Sequence, residues 1–411
     1  MVPLRDATKR VKAALAKLGL TPEVSDMGWD GDPAVWSCRL LDGEGAGPPM
    51  AQGMGKGRPE AARTGALFEA LEHYLTGPAL FDPASLEPVE SAHIVAGPLR
   101  REACGLLLAR TPGSRLACHR YSPLGAGPDI AVPLFLRAPW FVETHAGPLR
   151  ERAGDTCDYG HLMRYSCNSG SAVGVTAAEA LLHALNETIE RDALSLLLIR
   201  AFLGEAGHRP TVIDPATLPC DLARAYAVAE RLTGSPVHLL DITSDLGVPT
   251  MLAYTAPTSR HPHRRGCGTS LSVSYAAWRA LSELVQTTLG ETLSRSGAPL
   301  RVGSAWHADY PELRACGRFD LTDHLRGART IAYCHAGGVP GHPRDQLREL
   351  ISTLLAHGHV PYRRVVAVLQ GQIVAVHVIV PGLERFMLII DGNLVLPGPR
   401  GQAFVRRGHA G

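Results

Sequence analysis

The stretch 176–202, TAAEALLHALNETIERDALSLLLIRAF, sets the tightest limit on what this chain can become. Leu181, Leu182, Leu185, Ile189, Leu194, Leu196, Leu197, Leu198 and Ile199 make a helix that is apolar nearly all round. Such a helix belongs in a protein interior. Yet it carries Glu179, Glu187, Glu190, Arg191 and Asp192. At about 100° per residue, Glu187 and Glu190 lie roughly 80° and 20° round the helix from Glu179, so three acids share one stripe. A carboxylate taken out of water needs a cation or hydrogen-bond donors. Thr176 and Glu179 have capping-box spacing, a local use for Glu179. Arg191 is placed to neutralise a neighbouring acid.

Two more segments repeat the pattern. In GMGKGRPEAARTGALFEALEHY the spacing predicts a helix over 59–75, with Pro59 in its first turn and Gly77-Pro78 at its end. Glu69 and Glu72 fall on one face of it, among Leu67, Phe68, Leu71 and Tyr74. The glycines around Lys56 read as a loop whose N–H groups could approach phosphate. The chain has 37 Arg and 4 Lys, three of the latter before residue 18, so Lys56 stands out. No GxxxxGK[ST] is present, so this is not a P-loop. In GCGTSLSVSYAAWRALSELVQTTLGE, Arg279 and Glu283 are spaced i, i+4, and Gln286 follows. On a surface that pair contributes only a few tenths of a kcal/mol. Taken together, three largely apolar helices present acids, and two follow glycine-rich loops. Mg2+ takes oxygen ligands and shares them with nucleotide phosphates, so convergent carboxylates suit a Mg-nucleotide site. The nine cysteines form no CxxC pair that would compete as a zinc site. Cys118-His119 and Cys334-His335 are adjacent pairs without a third partner and read as structural.

Elsewhere the chain reads as α+β. Residues 1–20 suggest an amphipathic helix and 21–50 irregular chain. Residues 79–160 suggest short strands and loops, and 167–175 a small-residue loop. Helices are expected near 222–232, 274–295 and 343–357. VHLLDI with VPTMLAYTA, RRVVAVLQ with IVAVHVIV, and MLIID with LVLPG suggest antiparallel strand pairs. No repeat divides the 411 residues. The expectation is an N-terminal region (1–50), one integrated catalytic domain (51–400) and a basic tail (401–411). A formal charge of +2 with 45% apolar residues argues against a disordered chain and offers no nucleic-acid-binding surface. No secretory h-region and no run of about 18 apolar residues appears, which excludes a signal peptide and a membrane-spanning helix. Unpaired cysteines of odd number fit reduced thiols in the cytoplasm.

GKG followed by ExxEH, then EAxxxALxExxERDA, then RALxExxQ, resembles the YcaO family of ATP-dependent enzymes. The likeness runs from about Ala51 to about Gly398 and includes DITSDLGVPT and VPGLE. It implies a Mg·ATP site built on helices without a P-loop. By position, Glu69, Glu72, Glu187, Glu190 and Glu283 would bind Mg2+. Lys56, Glu179, Arg191, Arg279 and Gln286 would contact nucleotide or order those ligands. Glu187, Glu190 and Arg191 would stand at the chemistry. The family usually has Ser at Gly65, Arg at His73, Asn at Val175, and SNG where this chain has Asn168-Ser169-Gly170. The activity implied is attack on a peptide amide, transfer of phosphate to its oxygen, and loss of that oxygen with phosphate. A substrate Cys, Ser or Thr gives an azoline, the product the resemblance implies first. External sulfide gives a thioamide. A non-catalytic ATP-binding scaffold is the reading from another class. Azoline-forming members often end in a proline-rich tail, whereas here Pro397 and Pro399 precede a basic one. About 50 residues precede Ala51, too few for a fused E1-like domain. The expected partners are therefore a precursor peptide, a separate E1-like, leader-binding or sulfur-delivery protein and, at family level, a second copy of the chain.

Overall fold

A computed structural model describes residues 2–28, 31–43, 47–111, 113–204, 208–259, 261–294, 310–334 and 341–405. Helix α1 (Leu4–Lys17) buries Val11 and Leu15 against Leu67 and Leu71 of α2 (Pro59–Thr76). Beneath them lies an antiparallel sheet of β1 (Thr21–Asp26), β2 (Ala34–Leu41) and β3 (Ala51–Gly57), in that order. Residues 21–50, read as irregular, thus contain two strands. The exposed edge strand β1, TPEVSD, carries little apolar side chain to mark a strand, and its pairing with β2 decides its form.

The second sheet begins with β4 (Glu87–Glu90), β5 (Arg115–Pro123), β6 (Ile130–Pro133) and β7 (Ser171–Gly174). The third has the order β11-β10-β9-β8-β12, from β8 (Thr211–Ile213), β9 (His238–Asp241), β10 (Thr250–Thr255), β11 (Arg264–Thr269) and β12 (Arg329–Ile331). Strands β13 (Tyr362–Val368) and β14 (Val374–Ile379) return to the second sheet, whose path is β4-β5-β13-β14-β7 with β6 on β5. The expected pairings β9 with β10 and β13 with β14 form, both antiparallel.

Helix α3 (Ala177–Leu198) packs Leu181, Leu185 and Ile189 with Val376 and Val378 of β14 and with Leu350 and Leu354 of α6 (Pro343–Ala356). Its last turns sink into the largest apolar core. Helices α4 (Cys220–Thr233) and α5 (Val273–Ser294) cover the third sheet, with Leu222, Ala225, Ala277 and Leu281 in contact with Leu239 and Ala253.

The glycine-rich segments are strands, not phosphate-binding loops. A Cβ on Gly55 of β3 would stand 1.8 Å from the Ala62 carbonyl oxygen of α2. One on Gly268 of β11 would stand 2.2 Å from the Ala276 oxygen of α5. Glycine here lets a helix backbone lie directly on a strand. The expected MLIID–LVLPG hairpin is also absent. Residues Phe386–Ile389 form a 3-10 turn buried on all sides in the main core, and periodicity cannot separate such a run from a buried strand. All nine cysteines are unpaired. No helix among the described residues is long and apolar enough to cross a membrane. Tail residues 406–411 lie outside the described residues, as does His335.

Candidate active site

Strands β3 and β11 are sheet edges, and α5 joins them. Gln286 donates its side-chain N–H to the Met54 oxygen of β3 at 2.8 Å. The Cys267 N–H of β11 donates to Glu283 Oε1 at 3.3 Å. Helices α2 and α3 complete the walls of a cleft of roughly 1740 Å3, part of it open to solvent.

Into this cleft point Glu69 and Glu72 from α2, Glu187, Glu190 and Arg191 from α3, Arg279, Glu283 and Gln286 from α5, and Lys56 from β3. Nine of the ten site residues expected from the sequence therefore meet. Glu179 does not line the cleft. It occupies the first turn of α3, about 12 Å along the helix from Glu187, and its N–H donates to Thr176 Oγ1. The cap of that helix is the Thr176 hydroxyl, which the Glu179 backbone, not its carboxylate, engages.

Charge is unevenly matched. Lys56 Nζ donates to Glu283 Oε2. Arg191 Nη2 lies 3.4 Å from Glu187 Oε1. Ser169 Oγ and the Gly170 N–H also donate to Glu187, at 3.5 and 3.3 Å. No ion pair forms between Arg279 and Glu283, despite their i, i+4 spacing. Lost hydration alone would raise Glu283, yet Lys56, Arg191 and Arg279 hold its carboxyl down to about 2. Glu72, Glu190 and Glu69 shift in the opposite sense. Burial, then the Glu187 and Glu69 charges, push Glu72 well up. Burial and the Glu283 charge push Glu190 up to about 7 against the pull of Arg279, Arg191 and Lys56. Burial also raises Glu69. These carboxyls lack enough positive charge.

That shortfall is what a hard divalent cation removes. Among the described residues no three His, Cys, Asp or Glu side chains close on one point. The acids ring a space instead, as suits Mg2+ whose shell is completed by phosphate oxygens and water. The all-oxygen donor set fits that ion, and Lys56, Arg191 and Arg279 supply cations for a polyphosphate.

Sequence reasoning passed over His183, which opens onto the cleft one helical turn before Glu187. Lost hydration, then Arg279 and Lys56, hold its imidazole below the usual range, so it stands neutral. Its i, i+4 relation to both Glu179 and Glu187 was the available signal. Asn168, Thr287 and Asp391 also line the cleft. Of the four departures from the family pattern, Gly65, His73 and Ser169 face the cleft, whereas Val175 packs in the apolar core beside Leu67 and Leu71.

A family profile described as "YcaO cyclodehydratase, ATP-ad Mg2+-binding" matches residues 54–384. A Rhizobium leguminosarum bv. trifolii protein named for its position in the tfuA 3′ region is 27% identical over 379 residues, covering 84% of this chain and 79% of that one. The structure of YcaO from Methanopyrus kandleri bound with AMPPCP and Mg2+ superposes with a TM-score of 0.65 at 17% identity, over 96% of this chain and 94% of the other. A heterocyclase in complex with substrate and cofactor gives 0.64 at 15% identity, over 93% of this chain. This chain spans about half the heterocyclase, 52% of its length. At these identities the structural likeness establishes the fold.

Proposed function

The chain belongs to the YcaO family, whose members depend on ATP and Mg2+, and from that premise we propose that it activates a backbone amide of a ribosomally made peptide by phosphorylating the amide oxygen. The observation that carries this reading is the meeting of five glutamates, two arginines and Lys56 in one cleft. Bound Mg·ATP supplies the phosphoryl group and the cation that stabilises its transfer.

The chain's own residues have separable tasks. Glu69, Glu72, Glu187, Glu190 and Glu283 hold the ions, each acid on a helix whose opposite side is fixed in a core. Arg191 and Arg279 face phosphate charge from fixed positions on α3 and α5, the preorganisation that stabilises charge transfer. Lys56 is shared between Glu283 and incoming phosphate. Glu190, near neutrality when the cleft lacks a cation, ionises as positive charge enters. No enzyme nucleophile is required, because a substrate side chain supplies it for an azoline and external sulfide for a thioamide.

Azoline formation is the product this reading favours, supported by the family description as a cyclodehydratase. One observation favours thioamide formation with a sulfur-delivery partner instead: neither Pro397 nor Pro399 lines the cleft. A separate partner protein is part of either reading, supported by a relative named for its neighbouring gene. The test is reconstitution with ATP, the precursor peptide and the partners encoded nearby, read by mass spectrometry. Loss of water from the peptide marks an azoline, and exchange of oxygen for sulfur marks a thioamide. Glu190→Gln abolishes either product while leaving the complex assembled. Product formation by that variant would leave only a scaffold role for this chain.

A further inference from the structure

A second pocket opens about one turn beyond the cleft along α2, and no residue lines both. It spans roughly 480 Å3, part of it open to solvent, between the C-terminal end of α2, β5 and β13. Its polar wall is Arg137, Arg364 and His119, and Phe81 and Trp140 form an aromatic flank.

Arg137 is only 7% exposed, and its Nε is buried without a hydrogen-bond partner. Its Nη2 lies 3.4 Å from His119 Nδ1, and His119 Nε2 lies 3.2 Å from Ser85 Oγ. His119 therefore accepts from Arg137 through Nδ1 and donates from Nε2, which makes it neutral. Burial, then the Arg137 and Arg364 charges, favour that neutral form. Arg364 faces the same space from β13, and Arg137 adds to the cost of its burial. Neither guanidinium has a carboxylate ion-pair partner among the described residues. The acid in the lining, Asp82, is exposed, and its Oδ1 accepts the Ala84 N–H at 3.0 Å.

Two like charges in a walled pocket, one with a buried and unsatisfied N–H, are costly until an anion reaches them. Planar guanidinium groups match the geometry of carboxylate and phosphate oxygens. We propose that this pocket is a binding site for one oxyanion, a carboxylate or phosphate group held between Arg137 and Arg364, with the aromatic flank taking whatever carbon it carries. The site is separate from the nucleotide cleft.

The test uses the full chain saturated with Mg·AMPPCP, so that the cleft is occupied. Inorganic phosphate and N-acetylglycine are titrated in separately at low ionic strength and followed by calorimetry. At least one binds, and Arg364→Gln weakens it about tenfold or more, as expected when a charge-assisted hydrogen bond is lost. Preference for N-acetylglycine identifies a peptide-type carboxylate as the ligand, and preference for phosphate identifies a phosphate group. The same anion protects Arg137 and Arg364 from phenylglyoxal in the wild-type chain, a readout that needs no substitution. The proposal is overturned if neither anion binds with AMPPCP present, or if Arg364→Gln binds as tightly as wild type.

Discussion

Lys56 of β3 and Glu283 of α5, 227 positions apart in the chain, form an ion pair across the wall of the cleft. The pair ties the edge of the first sheet to the helix that covers the third. It also keeps Glu283 ionised while the neighbouring acids are pushed toward neutrality.

Removing that lysine tests whether it serves phosphate as well as Glu283. Lys56→Met should weaken Mg·AMPPCP binding about tenfold, the loss expected for a hydrogen bond to a charged group. Stability should fall by only about 1 kcal/mol, because both partners keep some contact with solvent. Calorimetric titration and urea denaturation read the two effects separately. Unchanged nucleotide affinity would leave Lys56 with a structural role alone.

The raised carboxyls give the ligand-free protein a definite response to pH. Glu190 titrates near 4.5 in an unstructured chain and at about 7 when folded, so the folded form binds the proton more tightly. Its contribution to stability is full below about 4.5 and is lost as pH rises through about 7. Glu69 and Glu72 act in the same sense. Glu283 acts oppositely, but only as pH falls from 4.5 toward about 2, outside this window. The melting temperature of the wild type relative to Glu190→Gln should therefore rise as pH is lowered from 8 to about 5.5, a comparison that cancels the opposite contribution of His119 and His183, which burial holds neutral. Saturating Mg·AMPPCP should flatten that slope.

Neutralising Glu190 separates stability from function. At pH 8 without ligand, Glu190→Gln should be more stable than wild type by on the order of 1–3 kcal/mol, because a buried like charge is gone. It should gain far less from Mg·AMPPCP. Thermal denaturation with and without the nucleotide measures both.

Two glycines that face each other should respond in opposite ways. Gly55→Ala drives a Cβ into the Ala62 oxygen and should destabilise the fold by about 3 kcal/mol or more, with nucleotide binding lost as α2 shifts. Gly65→Ala meets only the Gly55 Cα at 3.5 Å, an ordinary contact, and should fold normally. Denaturant titration of the two variants side by side makes the comparison.

Asp192 is fully buried beside the acidic stripe of α3, with Arg400 at 2.9 Å and the Glu384 N–H at 2.8 Å. Arg400→Met leaves that acid without its cation and should cost about 3–5 kcal/mol. Adding Asp192→Asn should recover part of the loss. A double-mutant cycle in urea gives the coupling.

The acids of the cleft were legible because a charged stripe on an apolar helix has few physical explanations. Glu187 and Glu190 needed only the helical period, and their helix runs from Ala177 to Leu198, close to the expected span. The glycines of β3 and β11 were misread for an equally physical reason. A glycine near a lysine suggests a phosphate loop, and nothing local reveals that a helix will press on it. Residues 21–50 hid two strands because β1 carries little beyond Val24 to mark a buried face, and β2, central in its sheet, buries side chains on both faces and so does not alternate.

By itself the sequence determined which helices must be buried, which acids they carry, and the family to which the chain belongs. Side-chain periodicity and motif spacing are local and survive without coordinates. Only the tertiary structure decided that Glu187 joins four other acids in the cleft while Glu179 stays outside it. It alone paired Lys56 with Glu283 and brought Arg137 to Arg364 in a second pocket. Those are contacts between elements distant in the chain, and no period within one segment encodes them.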